Sequence, residues 1–269
     1  MPRRRLTAAG RFTRATTKSC GAYDARVTSL PRLRQVALAA HDLHITAEAL
    51  QEAFGWPDPF HDPGVAEFGL ENSVFAARDT FVEVVSPVRA DTAAGRYLER
   101  RGGDSGYMAI FQVDNLEAAR ARVADAGMKV VWKVDFDDIA GTHLHPKDTP
   151  GAIVSLDWAE PPETWRWAGP DWTGRSSPNG CSALRGLVIE VKDPAVAAQR
   201  WATALGLGVD EGRNGEARVE LVSAGQTLRF APAANGHAEG ITEVWLGAAS
   251  ASQHVHEIAG VRFVVGGGE

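Results

Sequence analysis

The stretch LRQVALAAHDL, residues 33–43, recurs with the same layout as LRGLVIEVKDP at residues 184–194. Each copy has the alternation of an apolar strand, and its next-to-last residue is an Asp. A helical stretch follows each copy and ends, at the same distance, in AFGW (53–56) and ALGL (204–207). The glycine in each of these endings predicts a left-handed C-terminal cap. Because strand and helix end shift together, the pattern indicates a duplicated unit.

Two further segments repeat the strand, AIFQVDNL (109–116) and, more weakly, VWLGAASA (244–251). After the first of them, Asp114 is placed to cap a helix and Glu117 completes a capping box. Gly127 stands where that helix should end. These signals predict a strand followed by a helix in each unit.

Three short period-two segments follow the first helix, GVAEFGL (64–70), SVFAA (73–77) and TFVEVVSP (80–87), separated by EN and RD turns. The second unit repeats this order with KVVWKVDF, GTHLHP and AIVSLDW. A single small curved sheet leaves one face apolar and its edges open, so two units should pair. The sequence thus predicts an α+β fold of tandem βαβββ modules that pair into open cupped sheets.

The expected domain organisation has four parts. Residues 1–30 are a basic, disordered tail, for which organelle targeting is an open alternative. Residues 31–158 form the first domain, 159–182 a linker rich in Trp, Pro and Gly, and 183–269 a degenerate second domain. The 30 residues from 240 are too few for a whole module, so VWLGAA and GVRFVVG should be strands with little or no helix. We expect the two halves to pack independently.

Composition excludes several classes of protein. The net charge of −6 argues against nucleic-acid binding, and no apolar run is long enough to cross a membrane. Cys20 and Cys181 support neither a disulfide framework nor a thiolate metal site, which fits a cytoplasmic location. Trp165, Trp167 and Trp172 of the linker should pack on one or both domains, with an aromatic ligand platform as the alternative.

The sequence resembles the vicinal oxygen chelate superfamily in the order of its units and in its first strand. The resemblance extends to GGDSGYMAIFQVDN (102–115) and LHPKDTPGAIVSL (144–156). This superfamily includes glyoxalases, bleomycin resistance proteins, methylmalonyl-CoA epimerases and extradiol dioxygenases. The similarity covers residues 33–158 and, more weakly, 184–265. It implies paired modules in a cupped sheet, and a divalent metal held by one side chain from each of four strands.

The resemblance assigns Gln35 and Glu83 to the first two ligand positions. Met108 falls where a His is expected, and Ser155 falls where a Glu is expected. In the second half the corresponding positions carry Gly186, Arg229, Glu243 and Arg262, which do not form a cation site. A Lewis acid would contribute several kcal/mol to the family's chemistry, so an incomplete metal set puts that chemistry in doubt.

His143 and His145 project to the same face of an extended segment. Together with Gln35 and Glu83 they could rebuild a metal site. The alternative, which we prefer, is that HPKDTPG (145–151) is a turn between two strands.

Glu83, the candidate catalytic residue, could simply face solvent. The apolar residues on both sides of it suggest instead that it lies inside the cup, where burial raises a carboxyl pKa. Asp157 could supply a carboxylate if the register of its strand differs from the expected one.

The leading hypothesis is a small-molecule site in the first domain, with a ligand pocket of Gln35, Glu83, Tyr107, Met108 and Ser155. Its expected partner is a small organic ligand, with neither nucleic acid nor membrane, and a homo-oligomer is possible. No cofactor is expected, although a divalent metal is possible. The alternatives are a metal-dependent isomerase or epimerase, lyase or dioxygenase, and a non-catalytic partner-binding protein.

Overall fold

The computed structural model of the chain describes residues 30–176, 183–212, 214–234, 237–247 and 253–266. Residues 1–29 of the predicted basic tail lie outside these ranges, as do Cys20 and Cys181. What the sequence predicts for the tail and for the cysteines therefore stays a prediction. None of the described helices is long and apolar enough to span a membrane.

The prediction of an α+β fold is confirmed, and the described residues form fourteen strands in one continuous sheet. The strands are β1 (Arg32–Ala39), β2 (Leu70–Ala77), β3 (Thr80–Pro87), β4 (Ser105–Gln112), β5 (Val130–Asp135), β6 (Ile139–Leu144), β7 (Ile153–Ala159), β8 (Leu184–Val191), β9 (Asp210–Glu211), β10 (Ala217–Leu221), β11 (Gln226–Pro232), β12 (Gly240–Leu246), β13 (His254–Ile258) and β14 (Val261–Val265). The helices are α1 (Leu43–Phe54), α2 (Ala93–Arg101), α3 (Leu116–Asp125) and α4 (Pro194–Leu205).

Helices α1 and α4 begin and end where the sequence predicts. The side chains of Asp42 and Asp193 cap the first turns, and Gly55 and Gly206 adopt left-handed conformations at the ends. The capping prediction for α3 is wrong, because Asn115 and not Asp114 accepts the hydrogen bond from the backbone of the first turn.

The first module has two strands after its helix instead of three. The predicted strand at 64–70 is a 3-10 helix, Pro63–Phe68, because the Asp62 side chain accepts from the Gly64 backbone and Pro63 favours a first helical turn. The predicted EN turn is also wrong, since Asn72 lies inside β2 and pairs with Val85 of β3. A single bridge from Phe60 to Val74 stands in place of the third strand.

The second and third modules each have all three strands after the helix, and the fourth is truncated as predicted. Strand β4 pairs with β7, and β6 and β5 follow in order; β8 pairs with β11, followed by β10 and β9. The fourth module consists of β12, β13 and β14, and its described residues contain no helix. Strand β12 starts four residues before the predicted VWLGAA, and β13 was not predicted.

The prediction of independently packed halves is wrong, because one apolar core runs through both. The Gln226 side chain accepts a hydrogen bond from the Leu33 backbone at 2.8 Å and donates one back to it at 2.9 Å. Trp201 of α4 donates to the Pro150 carbonyl at 3.0 Å. The domain limits themselves stay a prediction.

The sheet has an apolar layer on each face. Helices α1, α3 and α4 cover one face, where the shared core lies. On the other face, Phe81, Met108 and Ile110 pack against Trp165 and Ala168 of the predicted linker. The linker therefore fills one end of the first cup.

Candidate functional site

A cavity of about 210 Å³ lies on the side of the sheet opposite α1, α3 and α4, within strands β1 to β7. Most of its walls are apolar or aromatic, among them Met108, Ile110 and Trp132. The 3-10 helix and the start of α2 contribute the rest of the lining. A few polar side chains face it, as in a ligand-binding cavity.

Glu83 points into this cavity from β3 and is only 7% exposed. Gln35 Nε2 donates to its Oε2 at 2.9 Å, and Asn72 Nδ2 donates to its Oε1 at 2.6 Å. Burial raises the pKa of Glu83 from 4.5 to about 7, although both hydrogen bonds act to lower it. The carboxyl is thus oriented by two amides and takes up a proton near neutral pH.

Asp157, on β7, is a second buried carboxyl in the same cavity. The Ser155 hydroxyl donates to its Oδ1, and Trp167 Nε1 donates to its Oδ2 at 2.7 Å. Burial raises its pKa from 3.8 to about 7. Its partner in the neighbouring strand is Gly141, whose missing side chain leaves room for the carboxyl, because a Cβ there would lie 3.1 Å from Oδ2.

The two candidate histidines have different surroundings. His143 lines the cavity, with its ring 4.3 Å from that of Trp132, and burial lowers its pKa to about 4. His145 lies in the turn after β6, where its Nδ1 accepts from the Lys147 backbone at 3.1 Å. Asp148 donates its backbone N–H to the His145 carbonyl at 2.8 Å, as expected for the turn interpretation.

Tyr107 and Met108 both line the cavity from β4. Burial raises the pKa of Tyr107 to about 12, so its hydroxyl stays protonated. Its ring packs against Tyr97 with centroids 5.0 Å apart. Ser155 does not line the cavity and acts on it through its hydrogen bond to Asp157.

The linker tryptophans pack on the first domain and also hold its polar groups. Trp165 is 1% exposed, stacks on Phe81 and donates to Gln35 Oε1 at 2.7 Å. Trp172 packs edge-on against Phe81. The buried guanidinium of Arg34 lies over all three rings, 5.2–5.7 Å from their centroids.

Sequence reasoning missed two partners of the site. Asn72 was hidden in a dipeptide typical of turns, although its two-residue offset from the buried Val74 places both on one strand face. Trp167 carries no periodic signal, and only its place in a Trp-rich segment drew attention to it.

The four implied metal-ligand positions do not fit a divalent cation. Only Glu83 carries a carboxylate, and the Gln35 amide is engaged by Glu83 and Trp165. Met108 offers only a thioether, and the Ser155 hydroxyl is directed at Asp157. Hard and borderline cations prefer carboxylate or imidazole donors.

The rebuilt set of Gln35, Glu83, His143 and His145 is not brought together either, because His145 does not reach the cavity. Among the described residues no group of three or more His, Cys, Asp and Glu side chains could hold a metal.

Three of the four matching positions in the second half take part in ion pairs. Arg262 pairs with Glu243, and the Arg229 guanidinium lies 3.9 Å from Glu243 and 5.5 Å from the Trp245 ring centroid. Trp245 also lies against Gly186, where a Cβ would approach its ring to 2.9 Å.

Modules of a strand, a helix and two or three further strands, paired in one sheet with a cavity on one face, define a protein of the vicinal oxygen chelate superfamily. The chain belongs to the family described as glyoxalase-like domain, whose model matches residues 36–205, more than half of the chain.

Two curated relatives are epimerases. The chain is 28% identical over 145 residues to the mitochondrial methylmalonyl-CoA epimerase of Mus musculus, covering 49% of this chain and 76% of that protein. It is 26% identical over 136 residues to the ethylmalonyl-CoA/methylmalonyl-CoA epimerase of Cereibacter sphaeroides, covering 47% and 96%.

Two solved structures share the fold over most of the chain. A hypothetical protein from Staphylococcus aureus has a TM-score of 0.67 at 9% identity, covering 88% of this chain and 98% of its own. A mutant of 4-hydroxymandelate synthase from Streptomyces coelicolor has a TM-score of 0.64 at 17% identity, covering 82% and 72%.

Proposed function

We propose that this chain binds a small organic molecule in the cavity of its first domain, without a divalent metal at the positions implied by the superfamily. One observation carries the proposal. Two buried carboxyls, Glu83 and Asp157, face a cavity whose other walls are mostly apolar, and each is held in place by two hydrogen-bond donors. Such a combination of apolar walls and a few oriented polar groups is what binding a small ligand requires.

The state of the two carboxyls supports a functional role. Neither takes part in the ion pairs of the described residues, so a structural salt-bridge network does not account for their burial. Two carboxyls with pKa values near 7 in one cavity carry an unfavourable desolvation that a purely structural site would avoid. Perturbed groups of this kind cluster at functional sites.

A thermal-shift screen with cationic, neutral and anionic small molecules tests the proposal. A ligand at about 100 times its Kd should stabilise the protein by about 3 kcal/mol, which raises Tm by roughly 5–10 °C in a chain of this size. Ile153→Trp, which fills the cavity from β7, should abolish the shift. Ile45→Trp is the matched control, because Ile45 is 67% exposed on α1.

The shift should persist in Ile45→Trp. A shift that survives Ile153→Trp would place the ligand elsewhere. If no molecule of any charge class raises Tm, the proposal fails. In that case a non-catalytic, partner-binding role would take its place.

Metal-dependent epimerase, lyase or dioxygenase activity is the alternative, and the names of the two curated relatives favour it. The decisive measurement is the metal content of the purified protein, together with methylmalonyl-CoA epimerisation in the presence of added Co²⁺, Mn²⁺ or Zn²⁺. Stoichiometric metal, with turnover abolished by Glu83→Gln, would put the enzyme function first. A cytoplasmic location and a homo-oligomer stay predictions.

A further inference from the structure

The polar lining of the cavity has a single sign of charge. Four carboxyls line it, those of Asp62, Glu67, Glu83 and Asp157. All the lining residues are among those that the structure describes, and they include no Lys or Arg.

Two arginines near the cavity are paired with acids outside its lining. Arg120, whose charge acts on Asp157, lies 2.7 Å from the Asp135 carboxylate. Arg166 lies over the Phe136 ring and 2.6 Å from the Asp138 carboxylate. Neither of these two arginines forms an ion pair with an acid that lines the cavity.

Aromatic rings form much of the remaining wall. Phe68, Trp132 and His143 cluster on one side, with the Phe68 and Trp132 centroids 5.5 Å apart in an edge-on arrangement. Tyr107 and Trp167 also line the cavity. The faces of such rings attract cations, most strongly when water is excluded. The rings are a second feature of the lining that favours a positively charged ligand.

We propose that the ligand of this cavity is an organic cation, an amine or ammonium group on a small apolar or aromatic body. The inference rests on the proposed function and names the chemical class of its ligand. Each carboxylate has about four acceptor positions. Glu83 and Asp157 each use two in the hydrogen bonds above, so both retain capacity for an ammonium donor.

The size of the cavity limits the body of the ligand. Its 210 Å³ lies below the range of about 300–1,000 Å³ that is typical for drug-sized ligands. An anionic ligand would enter the same space against four carboxyls, with no Lys or Arg among the lining residues. A single-ring amine is therefore a suitable probe.

Benzylamine, benzyl alcohol and benzoate share one ring and differ in charge, so isothermal titration with these three probes tests the inference. Benzylamine should bind at least about tenfold more tightly than benzyl alcohol, since it adds charge-assisted hydrogen bonds and cation–π contacts. Benzoate should bind more weakly than the alcohol.

Variants connect the preference to the cavity. Glu83→Gln should lower benzylamine affinity at least about tenfold and leave benzyl alcohol binding nearly unchanged. Trp132→Leu should weaken the amine more than the alcohol. Glu71→Gln is the matched control, because Glu71 is an exposed acid on β2 outside the cavity, and it should change neither.

Equal affinity for amine and alcohol, or tighter binding of benzoate, would overturn the inference. If that binding is still blocked by Ile153→Trp, the proposed function stands and only the ligand class is wrong. If none of the three probes binds at millimolar concentration, the inference is rejected. The wider thermal-shift screen then decides the proposed function separately.

Discussion

Glu83→Gln should remove a pH-dependent loss of stability. In the unfolded chain this carboxyl ionises at its ordinary pKa of 4.5, whereas in the folded chain burial raises the pKa to about 7. Between these values the folded state holds a proton that the unfolded state has released, so the free energy of unfolding falls as pH rises. Each pKa unit corresponds to about 1.4 kcal/mol, which gives a loss of about 3 kcal/mol by pH 8.

Urea unfolding of the wild type and Glu83→Gln at pH 5 and pH 8 measures this loss. The amide changes the hydrogen bonds with Asn72 and Gln35, but that change is the same at both pH values. The difference between the two proteins should therefore shift by about 2.5 kcal/mol in favour of the variant from pH 5 to pH 8, because a small part of the loss has already occurred at pH 5. Glu71→Gln should show no such shift. A change below about 1 kcal/mol would show that Glu83 is hydrated and titrates normally, contrary to the burial argument.

Three further predictions concern the supports of the site. Gly141→Ala should displace the Asp157 carboxyl and cost about 1–3 kcal/mol in urea unfolding, because the new Cβ would lie 3.1 Å from Oδ2; unchanged stability would show that the carboxyl can move freely. Trp165→Phe should cost about 1–3 kcal/mol, since it leaves buried Gln35 Oε1 without its donor; a neutral result in the same assay would mean that water replaces the indole. Met108→His combined with Ser155→Glu should gain divalent-metal binding in titrations with Zn, Ni, Co and Mn ions, whereas the natural chain should bind weakly or not at all. Tight one-to-one binding by the natural protein would reverse that expectation.

The sequence predicted those parts of the fold that depend on neighbouring residues, such as helix caps. Helices α1 and α4 carry an Asp cap and a terminal glycine, and both are found where expected. The 3-10 helix at Pro63–Phe68 was mistaken for a strand, because its short apolar alternation resembles one and Asp62 decides the outcome through a single hydrogen bond. Asn72 was assigned to a turn by its residue type, yet pairing with β3 overrides that preference.

The sequence predicted only part of the site, because some of its hydrogen-bond partners are far apart in the chain. Resemblance and strand alternation placed Gln35 and Glu83 on one face, and both line the cavity. One group that holds them comes from far away in the chain, since the indole that binds Gln35 belongs to Trp165, 130 residues later. No periodicity or spacing rule connects positions so far apart. Asp157 was found only as a register alternative, although it lines the cavity in the observed register.

The predicted linker supplies hydrogen-bond donors to the cavity of the first domain. Strands β1 to β7 end at Ala159, yet Trp165 and Trp167 lie beyond that limit and donate to Gln35 and Asp157. Without these indoles, two buried polar groups of the cavity would each lose a donor at a cost of about 1–3 kcal/mol. In a cavity built from the repeated strands alone, the side chains of Gln35 and Asp157 would each lack one of their hydrogen-bond donors. The linker, which lies outside the repeat, is therefore part of the site, and the superfamily pattern in residues 31–158 does not contain everything that orients its polar groups.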